Sequence, residues 1–255
     1  MADPLAFLRR WHDDTPGRTP QTFACLRDDQ GRCSYNWLAD LVQPGEQVLD
    51  LCCGDGPLLE RIVAAGGQGI GVDASTGELQ AARRRLGETA TLHQGLAQQL
   101  PLPDASVDRV LCHMAFMLLL PVEPVIAEVA RVLRPGGRFA AVVGAGPPVD
   151  DQATLVELLR RYPWRGGQLG DRRVRDPEAL ATILGPELGE LTAEVRTVRA
   201  TGSVAAMWED FLRSYHPALF ESAELEELRR DLHVALGDGS AHWGHRLLLL
   251  RAARR

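Results

Sequence analysis

Between residues 47 and 143, five short apolar runs are separated mostly by segments of helical character. The runs fall at 47–51, 69–72, 91–94, 107–112 and 138–143, and the apolar spacing predicts helices at 57–65, 77–86 and 124–133. A strand that leads through a helix into the next strand of the same sheet must re-enter it in the same direction. An α/β fold with a doubly wound, mostly parallel sheet follows. Beyond residue 143 the pattern is less regular. Helices are expected at 151–162, capped by the aspartates there, and at 176–184, with Asp176 as N-cap and Pro177 in the first turn. A sixth strand is expected at 191–198, helices at 203–215 and 222–236, and a closing strand at 246–250. The result is one domain built on seven strands. Its parts are an N-terminal helical lid (1–45), a core (46–143), helical insertions (144–190 and 200–240) and the closing strand (246–250).

Composition narrows the partners. A formal net charge of -6 argues against a binder of phosphate backbones, so no nucleic acid partner is expected. No stretch approaches the roughly 18 apolar residues of a membrane span, and the opening Met1-Ala2-Asp3-Pro4 is too mixed in charge for a secretory signal. A cytoplasmic protein without a membrane partner is expected, with homodimer formation left open. The cysteines (Cys25, Cys33, Cys52, Cys53 and Cys112) are odd in number and lack a paired CxxC spacing, which predicts reduced thiols. His242 and His245 lack an accompanying carboxylate or cysteine and read as the approach to the last strand, so no metal is expected. All 28 basic residues are arginine. That excludes lysine Schiff-base chemistry and the lysine-bearing phosphate loop of ATPases.

A parallel sheet binds its ligand at the carboxyl ends of its strands, near the point where strand order reverses. The first such edge here is Asp50-Leu51-Cys52-Cys53-Gly54-Asp55-Gly56. Gly54 and Gly56 permit a tight turn and close backbone approach, and the helix that follows offers unpaired N–H groups. Asp73 closes the second strand, nineteen residues after Gly54. A carboxylate there either accepts the ribose hydroxyls of an adenosine cofactor or caps the next helix. A nicotinamide dinucleotide is the first rival. Its third fingerprint glycine is missing, because Pro57-Leu58-Leu59 follow Gly56, and Asp55 would face the pyrophosphate. A cofactor without phosphates suits the loop better.

Four segments occur in order: Val48-Leu49-Asp50-Leu51-Cys52-Cys53-Gly54-Asp55-Gly56, Gly71-Val72-Asp73-Ala74-Ser75, Leu100-Pro101-Leu102-Pro103-Asp104-Ala105-Ser106-Val107-Asp108, and Arg131-Val132-Leu133-Arg134-Pro135-Gly136-Gly137. Together they resemble the successive motifs of class I S-adenosylmethionine-dependent methyltransferases of the UbiE type, over about residues 46 to 143. The resemblance implies a Rossmann-like fold and S-adenosyl-L-methionine as cofactor. It places the methionine moiety on Asp50, Cys52, Cys53, Gly54, Asp55 and Gly56, the ribose on Asp73 and the adenine against Ala74. Leu96 and Ala97 match the position at the adenine edge, and Cys112, His113 and Met114 the position beside the methyl donor. Tyr35 and Trp37 fall where relatives fold an N-terminal lid over the cofactor, although simple helix packing explains them equally. Two departures stand out: most relatives have glycine where this chain has Cys52, and many have aspartate where it has Leu96.

Methyl transfer is mostly a problem of alignment, and a base is needed only for an acceptor that arrives protonated. His113 is the candidate base, or else a histidine that lines the cofactor pocket. The stretch from Arg160 to Arg175 holds six arginines, with Tyr162 and Trp164 among them. Tyr162, Trp164 and Arg165 are its candidate substrate contacts, and a solvated loop is the alternative. The expected acceptor is a small molecule. The alternatives are a carrier-bound or carboxylate acceptor, a fold relative using the sulfonium for other chemistry, and a protein that only binds the cofactor.

Overall fold

In a computed structural model, which describes residues 4–185 and 187–255, the five strands expected before residue 144 lie side by side. They are β1 (Gln47–Leu51), β2 (Gln68–Asp73), β3 (Thr91–Gln94), β4 (Val107–His113) and β5 (Leu133–Gly144). All pair in parallel, in the order β3-β2-β1-β4-β5. The order reverses at β1, which lies between β2 and β4, so the ligand-binding crevice of such a sheet falls at its carboxyl end. Residues 1–3 of the expected N-terminal lid lie outside the described residues.

Successive strand side chains enter different cores, as the pleat requires. Val48, Leu111, Ala140 and Val142 pack with α3 (Ser34–Ala39), α4 (Pro57–Ala64), α5 (Thr76–Leu86), α7 (Gln152–Leu159), α9 (Val204–Leu212) and α10 (Ser222–Leu236). Leu49, Val110, Phe139, Ala141 and Val143 pack on the opposite face with α6 (Val122–Val132) and α8 (Pro177–Ile183). Helix, sheet and helix thus form three layers. The first two helices, α1 (Pro4–Asp14) and α2 (Arg18–Phe23), supply part of the wall above the carboxyl ends of the strands.

The far side of the sheet is antiparallel and more extended than the sequence suggested. The closing strand β8 runs over Ser240–Arg254, pairing with β5 on one edge and with β7 (Leu188–Ser203) on the other. A two-residue strand, β6 (Val149–Asp150), continues along the β5 edge, giving eight strands in place of seven. Polar residues such as His242 and Thr201 join the ladder because their backbones are paired, which an apolar count cannot register. Arg134-Pro135-Gly136-Gly137 forms a bulge within β5: Leu133 pairs with Val107 and Arg138 with Arg109. Asp176 caps α8 as expected, accepting from the Glu178 and Ala179 N–H groups. Asp151 does not cap α7; its Oδ2 accepts the His242 N–H at 2.7 Å and ties the helix to β8.

Candidate active site

The carboxyl ends of β1, β2 and β4 open into a cavity of about 1590 Å³. A single small-molecule pocket is typically about 300–1,000 Å³, so this one has room for two ligands side by side. At the end of β1 the chain turns through three left-handed residues, Cys52 (φ 59), Gly54 (φ 54) and Gly56 (φ 85). Gly56 has a second constraint, since a Cβ there would stand 2.8 Å from Leu86 Cδ1 on α5. Asp50 lies beneath this loop with 1% of its surface exposed, and its Oδ2 has no hydrogen-bond partner among the described residues. Burial, and then the charge of Asp73, push its carboxyl well above the usual carboxylate range.

Asp73 is oriented by the loop itself: Oδ2 accepts the Gly54 N–H at 2.9 Å and Oδ1 accepts the Ser75 N–H at 2.8 Å. Each oxygen has a further lone pair. The N-cap of α5 is Ser75, whose hydroxyl accepts the Glu78 N–H, so Asp73 is not needed as the cap. Helix α1 is tied down over this point. Asp13 Oδ1 accepts from the Ser75 hydroxyl (2.7 Å) and the Gly77 N–H (3.1 Å), and His12 Nδ1 lies 2.8 Å from Glu78 Oε1.

At the end of β4, His113 is 8% exposed. Its Nε2 meets the Ser34 hydroxyl at 2.8 Å, its ring stacks on Tyr35 with centroids 3.8 Å apart, and Phe23 approaches edge-on at 5.6 Å. Nδ1 has no partner among the described residues. Burial first, and then the Arg61 charge, lower its pKa to about 3, so the ring is neutral near pH 7. The next residue, Met114, holds φ 58, a conformation that is costly for a side chain this size and typical of functional edges. Further along the wall stand Trp164, Arg172, Arg175, Tyr215, His216 and His245. Burial, then the charges of His245 and Arg175, bring His216 down to about 4.

Residues 49–141 match the family described as a methyltransferase domain. A demethylmenaquinone methyltransferase of Symbiobacterium thermophilum is 37% identical over 113 residues, 41% of this chain and 45% of that protein. An uncharacterized methyltransferase of Mycobacterium bovis is 37% identical over 160 residues, 61% of this chain and 63% of that one. The chain thus spans 45% and 63% of the lengths of these two relatives. In fold it resembles the Haemonchus contortus phosphoethanolamine N-methyltransferase 2, solved with phosphomonomethylethanolamine and S-adenosylhomocysteine. The TM-score is 0.61 at 16% identity, covering 97% of this chain and 59% of that one. The likeness to methyltransferase domains thus lies in the core of the chain, residues 49–141.

Of the residues expected around a cofactor, Tyr35, Asp50, Cys52, Cys53, Gly54, Asp55, Asp73, Ala74, Leu96, Ala97, His113 and Met114 all line the cavity. Gly56 and Cys112 do not. Gly56 shapes the loop from behind, and Cys112 is fully buried, its free thiol hydrogen-bonded with that of Cys52. Of the expected substrate contacts, Trp164 lines the cavity and is 52% exposed. Tyr162 packs edge-on against Phe220 instead, and Arg165 forks onto Glu224 at 2.6 and 2.8 Å. The sequence reading missed Phe23, Arg175, Tyr215, His216 and His245 as wall residues. The signal was faint but present, since His216 and His245 are lone imidazoles in aromatic or apolar segments. Among the described residues, no group of three His, Cys, Asp or Glu side chains is arranged to hold a metal ion. Nor is any helix among them long and apolar enough to cross a membrane.

Proposed function

We propose that this chain transfers the methyl group of S-adenosylmethionine to a small-molecule acceptor. The observation that carries the reading is the pair of carboxylates at the ends of β1 and β2. Asp50 has a buried, unpartnered oxygen, and Asp73 is fixed by two backbone N–H groups with lone pairs to spare. Two buried carboxylates this close raise each other's energy until a cation and hydroxyl donors arrive. An α-ammonium and a ribose diol, without phosphates, meet that requirement.

Bound here, the cofactor supplies an electrophilic methyl: the acceptor's lone pair forms the new bond as the carbon–sulfur bond breaks, leaving a neutral thioether. The protein's share is alignment and exclusion of water. Helices α1 and α2 wall the cavity on the solvent side, and the Asp13 and His12 contacts hold α1 on the end of β2. His113 is assigned a hydrogen-bonding role through Nδ1, in place of the general base considered from sequence. An imidazole with a pKa of about 3 is a poor base at neutral pH, and a neighbouring sulfonium would depress it further. A small acceptor is supported by the walled cavity and by the quinone substrate in the name of the Symbiobacterium relative.

The test is incubation of the protein and S-adenosylmethionine with a panel of small phenols, quinols and carboxylic acids. S-adenosylhomocysteine should form above the acceptor-free rate with at least one of them. Release that never exceeds that rate would contradict the proposal.

A further inference from the structure

The arginines between residues 160 and 175 divide into two sets. Arg160 pairs with Glu157, Arg161 with Asp231, Arg165 with Glu224, and Arg173 with Asp171 and Glu123. These are solvated pairs that neutralise one another on the surface. Arg172 and Arg175 have no hydrogen-bonded or ion-paired side-chain partner among the described residues, and both line the cavity.

Arg175 is the better placed of the two. One of its terminal nitrogens lies 3.7 Å from where a Cβ on Gly144 would stand, beside the end of β5 and next to the His113 edge. The segment is seated there by Gly170 (φ 74), where any Cβ would run into the Met117 carbonyl oxygen. The charge of Arg175 is felt by Tyr215 and His216, whose rings stack 4.5 Å apart. Of the carboxylates bordering the cavity, Asp13 is engaged by Ser75, Glu78 by His12, Asp55 by Arg85, and Asp210 by Trp243 and Arg213, while Asp14 belongs to α1 and Asp50 and Asp73 to the ends of β1 and β2. The cavity is therefore divided by charge. Carboxylates gather at the loop after β1, and on the other side the unpaired Arg175 guanidinium shares the cavity wall with the Trp164, Tyr215 and His216 rings. A guanidinium fork matches planar oxyanions, and aromatic walls match a flat body.

We propose that Arg175 binds an oxyanion of the acceptor, a carboxylate or phosphate carried on a flat apolar body. The proposal rests on the methyltransferase reading. It gives that reading a substrate class: small aromatic or unsaturated acids.

The experiment is titration of the full chain, saturated with S-adenosylhomocysteine, with 4-hydroxybenzoate and indole-3-acetate against their primary amides, and phenyl phosphate against phenol. At least one anion should bind about tenfold tighter than its uncharged counterpart. Arg175→Gln should abolish that preference and Arg175→Lys keep part of it, both with unchanged affinity for S-adenosylhomocysteine. A carboxylate preference and a phosphate preference separate the two oxyanions. Anions that bind no better than their neutral counterparts, or a preference that survives in Arg175→Gln, would overturn the proposal. Failure of S-adenosylhomocysteine to bind the wild-type chain would instead overturn the cofactor reading beneath it.

Discussion

Cys52 shows how one side chain can sit uneasily in a loop that otherwise suits its ligand. It holds φ 59, the left-handed region that costs a residue with a Cβ about 1 kcal/mol or more, and its free thiol hydrogen-bonds with that of Cys112. Cys52→Gly and Cys52→Ala both remove the thiol, but only glycine relieves the backbone. Urea unfolding should find the glycine variant more stable than the alanine variant by about 1 kcal/mol. Equal stabilities would show that the loop is not strained there. The places of Asp50, Gly54 and Asp73 on the cavity wall were legible because they sit at strand ends, and strand ends can be read from local apolar runs. Tyr162 and Arg165 were misjudged for a physical reason. Sequence shows that a segment is rich in cations but not which of them find carboxylates. Glu224, which claims Arg165, lies 59 residues away. Arg175 became visible only after its neighbours had been paired off.

Helix α1 is weakly marked in the sequence, by the apolar Leu5, Phe7, Leu8 and Trp11 alone. In the fold it lies against α5 and is held by Asp13, through Ser75 and Gly77, and by His12, through Glu78. Few of its residues are buried, Leu8 alone in the helix, so these polar contacts rather than a core hold it in place. Asp13→Ala should therefore raise amide hydrogen exchange across residues 4–17 while leaving β1, β4 and β5 protected. Unchanged exchange in α1 would mean that the latch contributes nothing. Strands β1 to β4 were readable to within about one residue, β1, β2 and β4 because they are short, largely buried apolar runs, whereas β5 begins five residues before its apolar run, on the far side of the bulge. The extent of β7 and β8 was not readable. Their outer halves are held by ladder hydrogen bonds between polar residues, and register across a long antiparallel pair depends on a partner some 40 residues away.

Taken as a single object, the chain places its chemistry where a doubly wound sheet must place it, at the carboxyl ends of the strands flanking the reversal of order. Acidic groups gather there under α1, with guanidinium and neutral imidazoles opposite. The net charge of -6 does not show this division, and thirteen of the 28 arginines are taken up by ion pairs among the described residues. One ligand with a cation and a diol satisfies the first half, and the second is left for the acceptor. Calorimetric titration of the full chain with S-adenosylmethionine tests this account at its root. It predicts saturable binding of about one cofactor per chain, accompanied by thermal stabilisation. Asp73→Ala should weaken that binding about tenfold or more through the loss of charge-assisted hydrogen bonds. Absence of both heat and stabilisation at millimolar cofactor, or an unchanged affinity in Asp73→Ala, would contradict it.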